Sequence, residues 1–210
     1  NNDIGLPLTL LRLRASHRAA VVEMGMNHPG EIAALARLAQ PTVAIVTNAQ
    51  RAHLAGMGTL ETIATEKGSV FMHLANPGVA VINADDAFAG YWKAINVGRE
   101  TLTFGLSEDA DVTARCTSHG FASDLVLSAP QDEARFRLQV PGLHNVRNAL
   151  AATACALAAG CTLAAVAEGL AAFVPVAGRS RVLALPMPGR TLTVVDDCYN
   201  ANPDSMQAAI

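Results

Sequence analysis

Thr42-Val-Ala-Ile-Val-Thr-Asn48 and Val79-Ala-Val-Ile-Asn83, with a helical stretch over about residues 60–75 between them, decide the fold class. Each string is a short apolar run that ends on polar residues, which suits a strand buried on both faces of a parallel sheet. Asn76-Pro77-Gly78 stops the intervening helix before the second strand begins. Working outward, Arg18-Ala-Ala-Val-Val-Glu-Met-Gly25 reads as an earlier strand of the same kind. A helix is predicted over 30–39, where Ile32, Leu35 and Leu38 recur at helical spacing and Pro41 follows as a stop. Strands alternating with helices predict an α/β fold, a mostly parallel sheet flanked by helices with right-handed crossovers.

The rhythm changes downstream. Residues 101–140 alternate with period two, as in Arg135-Phe-Arg-Leu-Gln-Val140, and predict a small antiparallel β excursion. An Ala-rich helix is expected over 145–159, stopped by Gly160, and another runs to 173 from a Thr162 N-cap. Two strands, 181–185 and 191–195, are joined by the Pro186-Met-Pro-Gly-Arg190 turn, and a further helix begins near 204. No internal repeat or low-complexity linker interrupts the chain.

Composition narrows the class of function. The 210 residues are 51% hydrophobic and 16% charged, which marks a globular chain. A net charge of -3, a pI near 6.1 and the absence of a Lys/Arg run leave no electrostatic footprint for nucleic acid. Gly, Pro or a charge interrupts every apolar stretch before the roughly 18 residues a membrane span needs. The cysteines, Cys116, Cys155, Cys161 and Cys198, form no CxxC pair, and free thiols in a reducing cytoplasm are the expected state. Both ends read as cuts, and no GxxxxGK[ST] phosphate loop occurs.

Ligands of open parallel sheets sit beyond the carboxyl ends of the strands, so the polar residues closing each apolar run become candidates. These are Glu23, Asn48 with His53 on the next loop, Asp85 and Asp86, and Asp196 and Asp197. A carboxylate and an imidazole at neighbouring strand ends can ligate a divalent cation, and Mg²⁺ favours oxygen donors. Glu23 as a helix cap and His53 as an ordinary loop residue are the plainer readings. Lys67 sits in a helical stretch, where a solvated lysine paired with an acid is the simple account. Asn145 and Asn148 lie three apart near a helix start and share a face, which fits either an N-cap or a nucleotide contact. Arg179 is a loop arginine open to phosphate binding or to plain surface exposure.

In combination these residues resemble the Mur ligase family. The resemblance is carried by Asn1-Asn2-Asp3-Ile4-Gly5-Leu6-Pro7, Glu23-Met-Gly-Met-Asn27 and Ala52-His53-Leu54. Glu66-Lys67-Gly68, Pro141-Gly-Leu-His-Asn145, Gly178-Arg179 and Asp196-Asp-Cys-Tyr-Asn-Ala-Asn-Pro203 continue it in order along the whole chain. The first and last strings resemble the branch that adds D-Ala-D-Ala to UDP-MurNAc-tripeptide in peptidoglycan precursor synthesis. The resemblance implies ATP-dependent amide bond formation through an acyl phosphate, with Mg²⁺, in a cytoplasmic monomer. It implies one central ATP-binding domain over 1–210. The phosphate-loop segment and a UDP-binding domain would lie upstream, a closing domain would lie downstream, and the fragment alone would be inactive.

Carried over by position, Glu23 and His53 would be Mg²⁺ ligands, and Lys67 a carbamylated lysine that holds or orients metal. His144, Asn145, Asn148, Arg179 and Asp197 would contact ATP, and Asn1 and Asn2 the peptide of the precursor. Two positions depart from the pattern: Ser69 stands where an acid is expected and Ala177 where Pro is expected. Two other readings stay open. One is a different ligase of the superfamily, such as another Mur ligase or a folylpolyglutamate or cyanophycin synthetase. The other is a non-catalytic α/β binding domain.

Overall fold

The computed structural model describes residues 1–51, 54–130, 132–201 and 203–209, and at 54, 55, 203, 204 and 209 it describes the backbone only. The chain forms two compact units, Asn1–Leu102 and Thr103–Ile210.

The first unit begins with α1 (Gly5–Leu10) and α2 (Glu31–Ala39), followed by β1 (Val43–Val46). Next come α3 (Leu54–Met57), α4 (Leu60–Gly68), a 3-10 turn (Ser69–His73), β2 (Val79–Asn83) and α5 (Ala89–Ile95). β3 (Glu100–Phe104) completes a sheet of order β1-β2-β3. β1 and β2 are parallel, in register from Val43 opposite Val79 to Val46 opposite Ile82, as the paired apolar runs predict. α4 starts where the Thr59 hydroxyl accepts the Thr62 N–H at 3.1 Å, and the 3-10 turn prolongs it to His73. The core collects Ile32 and Ala36 of α2, Ala44 and Val46 of β1, Ile63 of α4, Phe71, and Ala80 and Ile82 of β2. Trp92 of α5 is fully buried and donates its indole N–H to the Ala64 carbonyl at 3.0 Å.

Residues 18–25 correct the sequence reading, because they are not a strand. Val21 is 99% exposed and Glu23 is exposed as well, whereas Val22, Met24, Gly25 and Met26 are at least partly covered. A buried parallel strand needs a hydrogen-bonded neighbour and a covering layer. Among the described residues no strand pairs with this segment, so its extended backbone stays irregular.

The second unit holds β4 (Thr113–His119), β5 (Ala122–Ala129) and β6 (Asp132–Leu138), a continuous antiparallel meander. The antiparallel region therefore starts later than expected, since Thr101 to Phe104 belong to the sheet of β1 and β2. Leu125 and Leu138 of the meander form a core with Val140 and with Val146 and Ala149 of α6 (Leu143–Ala158). α7 (Leu163–Ala171) begins at Thr162, whose hydroxyl accepts the Ala165 N–H at 3.3 Å, the cap the sequence predicts. β7 (Arg181–Met187) and β8 (Arg190–Asp196) pair from Arg181 opposite Asp196 to Met187 opposite Arg190, so both strands outrun their expected lengths. α8 (Pro203–Ala209) follows.

One buried carboxylate ties α4 to α2. Glu66 is 7% exposed, and its two oxygens accept the N–H groups of Gly30 and Ile32, each at 2.8 Å. The residue capping α2, Gly30, has no side chain to serve those donors, so a carboxylate from another helix does so. Its negative charge also meets the positive end of the helix dipole. Glu66→Ala leaves two amides without partners and lowers stability by about 2–4 kcal/mol in urea unfolding. A loss under about 0.5 kcal/mol would show that water replaces the carboxylate freely.

Candidate functional site

In the first unit the polar strand ends are knit together. The Asn83 side-chain amide donates to the Thr47 carbonyl at 2.7 Å, and its oxygen accepts the Asp85 N–H at 3.0 Å. Asp86 accepts the N–H of Ala49 at 2.8 Å and that of Phe88 at 2.9 Å. Both carboxylate oxygens are thus committed to backbone, and Asp86 sets the position of the loop that follows β1.

Lys67 reaches into this arrangement. It follows Glu66 in the last turn of α4, so the two side chains diverge by about 100° around the axis. Glu66 points to α2, whereas Lys67 donates from Nζ to the Asn48 carbonyl at 2.6 Å. The solvated helix lysine expected on spacing alone is not what forms. Burial pushes the Lys67 pKa below its ordinary value, and the nearby Asp86 carboxylate opposes that shift. Ser69, the departure from the family pattern, donates its hydroxyl to the Glu66 carbonyl at 2.6 Å and closes the same helix end.

Glu23 lies in the extended segment before α2. Its carboxylate is 83% exposed, and Oε2 is 3.8 Å from the Asn1 backbone nitrogen. It caps no helix. Asn1 also accepts the Gly25 N–H at 2.7 Å, which brings Asn1 and the Glu23 segment together. Asn2 Oδ1 accepts the N–H groups of Ile4 and Gly5 at the start of α1, so that oxygen has a structural duty. No hydrogen bond or ion pair joins Glu23 to Lys67 among the described residues. His53 lies outside the described residues.

In the second unit the predicted residues gather around the first turn of α6. Asn145 donates to the Pro141 carbonyl at 2.7 Å and to Ser180 Oγ at 3.2 Å, and its Nδ2 lies 3.0 Å from His144 Nε2. Asn148 donates to Asn145 Oδ1 at 3.3 Å, so the pair shares a face as the spacing predicts. Neither is the N-cap, which is Gly142 at φ 90°. A side chain at Gly142 would strike the His144 ring, and His144 Nδ1 is buried there with no partner. Asp197 Oδ1 accepts the Ser180 N–H at 2.8 Å. Its neighbour Asp196 accepts the Gly178 N–H at 2.9 Å, and a hydrogen bond from the Cys198 thiol, then that amide, hold its carboxyl below the usual range. Arg179 is exposed and stacks its guanidinium over the Tyr199 ring, 4.2 Å from the centroid.

Three contributors escape a reading of the sequence: Glu66, Ser180 and Tyr199. Tyr199 falls inside a recognised string, yet no local signal reveals that it meets Arg179. Ser180 adopts φ 53°, a left-handed conformation that nothing in its neighbours demands.

Residues 1–156 match the Mur ligase middle domain, and the chain belongs to the Mur ligase family. It is similar to UDP-N-acetylmuramoyl-tripeptide–D-alanyl-D-alanine ligase of Escherichia coli (strain K12), at 40% identity over all of this chain and 46% of that protein. The crystal structure of MurF from Acinetobacter baumannii superposes with a TM-score of 0.92 at 36% identity, covering 99% of this chain and 45% of that one. MurF ligase from Thermotoga maritima in complex with ADP gives 0.85 at 29% identity, covering 100% of this chain and 47% of that one. The chain thus spans about half the length of the curated relatives it matches. No helix among the described residues is long and apolar enough to cross a membrane.

The chain has two lysines, Lys67 and Lys93, so isotopic methylation followed by NMR titration resolves each separately. Lys67 should lose its proton below the ordinary lysine value of 10.5. Folded chain then binds fewer protons than unfolded chain between that lowered value and 10.5, so Lys67 makes stability rise with pH across this window. A Lys67 titration at or above 10.5 would contradict its burial.

Proposed function

We propose that residues 1–210 are the central ATP-binding domain of a ligase that joins D-Ala-D-Ala to UDP-MurNAc-tripeptide. In this reading the terminal carboxylate of the precursor takes the γ-phosphoryl group of ATP and becomes an acyl phosphate. The amine of D-Ala-D-Ala then attacks the activated carbonyl, and inorganic phosphate leaves as the amide forms. UDP-linked precursor and ATP are cytoplasmic reactants, which puts the work in the cytoplasm.

The observation that carries the reading is the setting of Lys67, half-buried with its Nζ on the Asn48 carbonyl. Carbamate formation requires a neutral amine, which adds to the carbon of CO₂ and loses a proton. Burial favours that neutral form. The product is an anion where an ammonium stood, and it converts a residue that repels a cation into one that attracts it. Its neighbour Asp86 has both oxygens engaged by backbone amides, so the carbamate would supply the free anionic oxygens.

Mg²⁺ fits the donor chemistry of Glu23, whose exposed carboxylate makes no hydrogen bond within the described residues, and fits Lys67 only as the carbamate. His53 is the third proposed ligand. Bound there, the ion would neutralise crowded phosphate and carboxylate charge. Asn145, Asn148, His144, Arg179 and Asp197 are assigned to the nucleotide. The first two turns of a 16-residue helix carry three of them, His144 and Asn145 in the first and Asn148 in the second, at the helix end whose dipole favours anions. Asn1 and Asn2 are assigned to the precursor peptide, Asn2 through its side-chain nitrogen, since its oxygen serves α1.

Assays of the full protein with ATP, UDP-MurNAc-tripeptide and D-Ala-D-Ala, meso-diaminopimelate or glutamate decide the acceptor. Turnover only with D-Ala-D-Ala is expected, and turnover only with another amine would replace this reading. Lys67→Arg keeps the cation but cannot form the carbamate, and should lower kcat by about 100-fold or more. A carbamate carbonyl signal from ¹³C-bicarbonate should appear in the wild type and vanish in this variant. Retention of full activity by Lys67→Arg would remove the lysine from the mechanism.

A further inference from the structure

We propose that Ser180 is a positioning residue of the nucleotide site, its hydroxyl setting the Asn145 amide and the Asp197 carboxylate against one another. The inference rests on the assignment of Asn145 and Asp197 to ATP made above.

A serine hydroxyl has one proton to donate and two lone pairs. Here the proton goes to Asp197 Oδ1 at 3.4 Å, and one lone pair accepts from Asn145 Nδ2 at 3.2 Å. His144 Nε2 lies 3.5 Å from the same oxygen. Ser180 is 7% exposed, so water cannot easily take over these roles. Its backbone N–H supplies the shorter bond to Asp197, at 2.8 Å, and so places the hydroxyl beside the same carboxylate.

The conformation is costly. Ser180 sits at φ 53°, in the left-handed region that few residues other than glycine enter. Glycine would adopt that backbone with less strain and would keep the N–H, so backbone geometry alone does not call for serine. What serine adds is the hydroxyl, and the hydroxyl touches three residues assigned to ATP. The Asn145 amide group has two protons and three acceptors within reach: Pro141, His144 and Ser180. Its orientation is therefore a compromise that the Ser180 oxygen biases.

Ser180→Gly in the full protein isolates the hydroxyl, because it keeps the left-handed backbone and the bond to Asp197. KM for ATP should rise about tenfold, the scale of one hydrogen bond, with kcat within about threefold. KM for the amine substrate and the thermal midpoint should stay near wild type. Ser180→Ala should show the same rise in KM for ATP with a thermal midpoint below that of Ser180→Gly, since alanine retains the strain that glycine relieves. Asp197→Asn and Asn145→Ala are run beside them. If these two raise KM for ATP and Ser180→Gly does not, the inference fails while the nucleotide site stands. If neither raises it, the nucleotide assignment itself fails and takes the inference with it. A fall in thermal midpoint for Ser180→Gly with KM for ATP unchanged would make the serine merely structural and would also overturn the proposal.

Discussion

The last turn of α4 constrains the rest of the first unit, because two consecutive ionisable side chains leave it in different directions, Glu66 buried and Lys67 half-buried. Glu66 is held by the two amides that open α2. Lys67 is held by the carbonyl that ends the β1 run. Burying a charge is expensive unless it is hydrogen-bonded, so each contact must form for the turn to pack. Helix, sheet edge and neighbouring helix are fastened in one step, and Trp92 closes the far side of the turn through the Ala64 carbonyl. The lysine is consequently presented with little freedom and little hydration, the condition under which its amine chemistry differs from that of a surface lysine.

The second unit solves a different problem. Its cluster relies on amides, a hydroxyl and an imidazole arranged around one carboxylate, with Arg179 stacked on Tyr199 outside. Two adjacent aspartates divide the work. Asp196 grips the Gly178 amide and Asp197 grips the Ser180 amide, so the turn between them is clamped at both ends. The turn's Arg179 lies between these fixed points yet keeps its guanidinium exposed.

Much of this was legible in the sequence where a rule depends on neighbours along the chain. Val43 to Val46 and Val79 to Asn83 announce buried strands by their unbroken apolar character, and Thr162 announces a helix start by its hydroxyl. The strand-end rule also found Asn48, Asp86 and Asp197, each of which makes a defining contact. It failed at residues 18–25. Their apolar pattern describes what a strand would bury, whereas pairing depends on a neighbour that the pattern cannot supply. It was silent on Glu66, because a glutamate in a helix looks the same whether it faces water or the start of another helix.

By itself, then, the sequence determined most of the elements, the α/β class, the family, and the pool of polar residues from which the clusters are drawn, since all of these follow from local periodicity and short strings. Tertiary structure alone decided which of those residues are buried and whom they touch. Lys67 passes from a solvated helix lysine to a half-buried one bound to a distant carbonyl, and Ser180 from an unremarked loop residue to a hub. The physical reason is that desolvation and hydrogen-bond geometry depend on groups tens of residues away, 19 positions separating Lys67 from Asn48 and 35 separating Ser180 from Asn145.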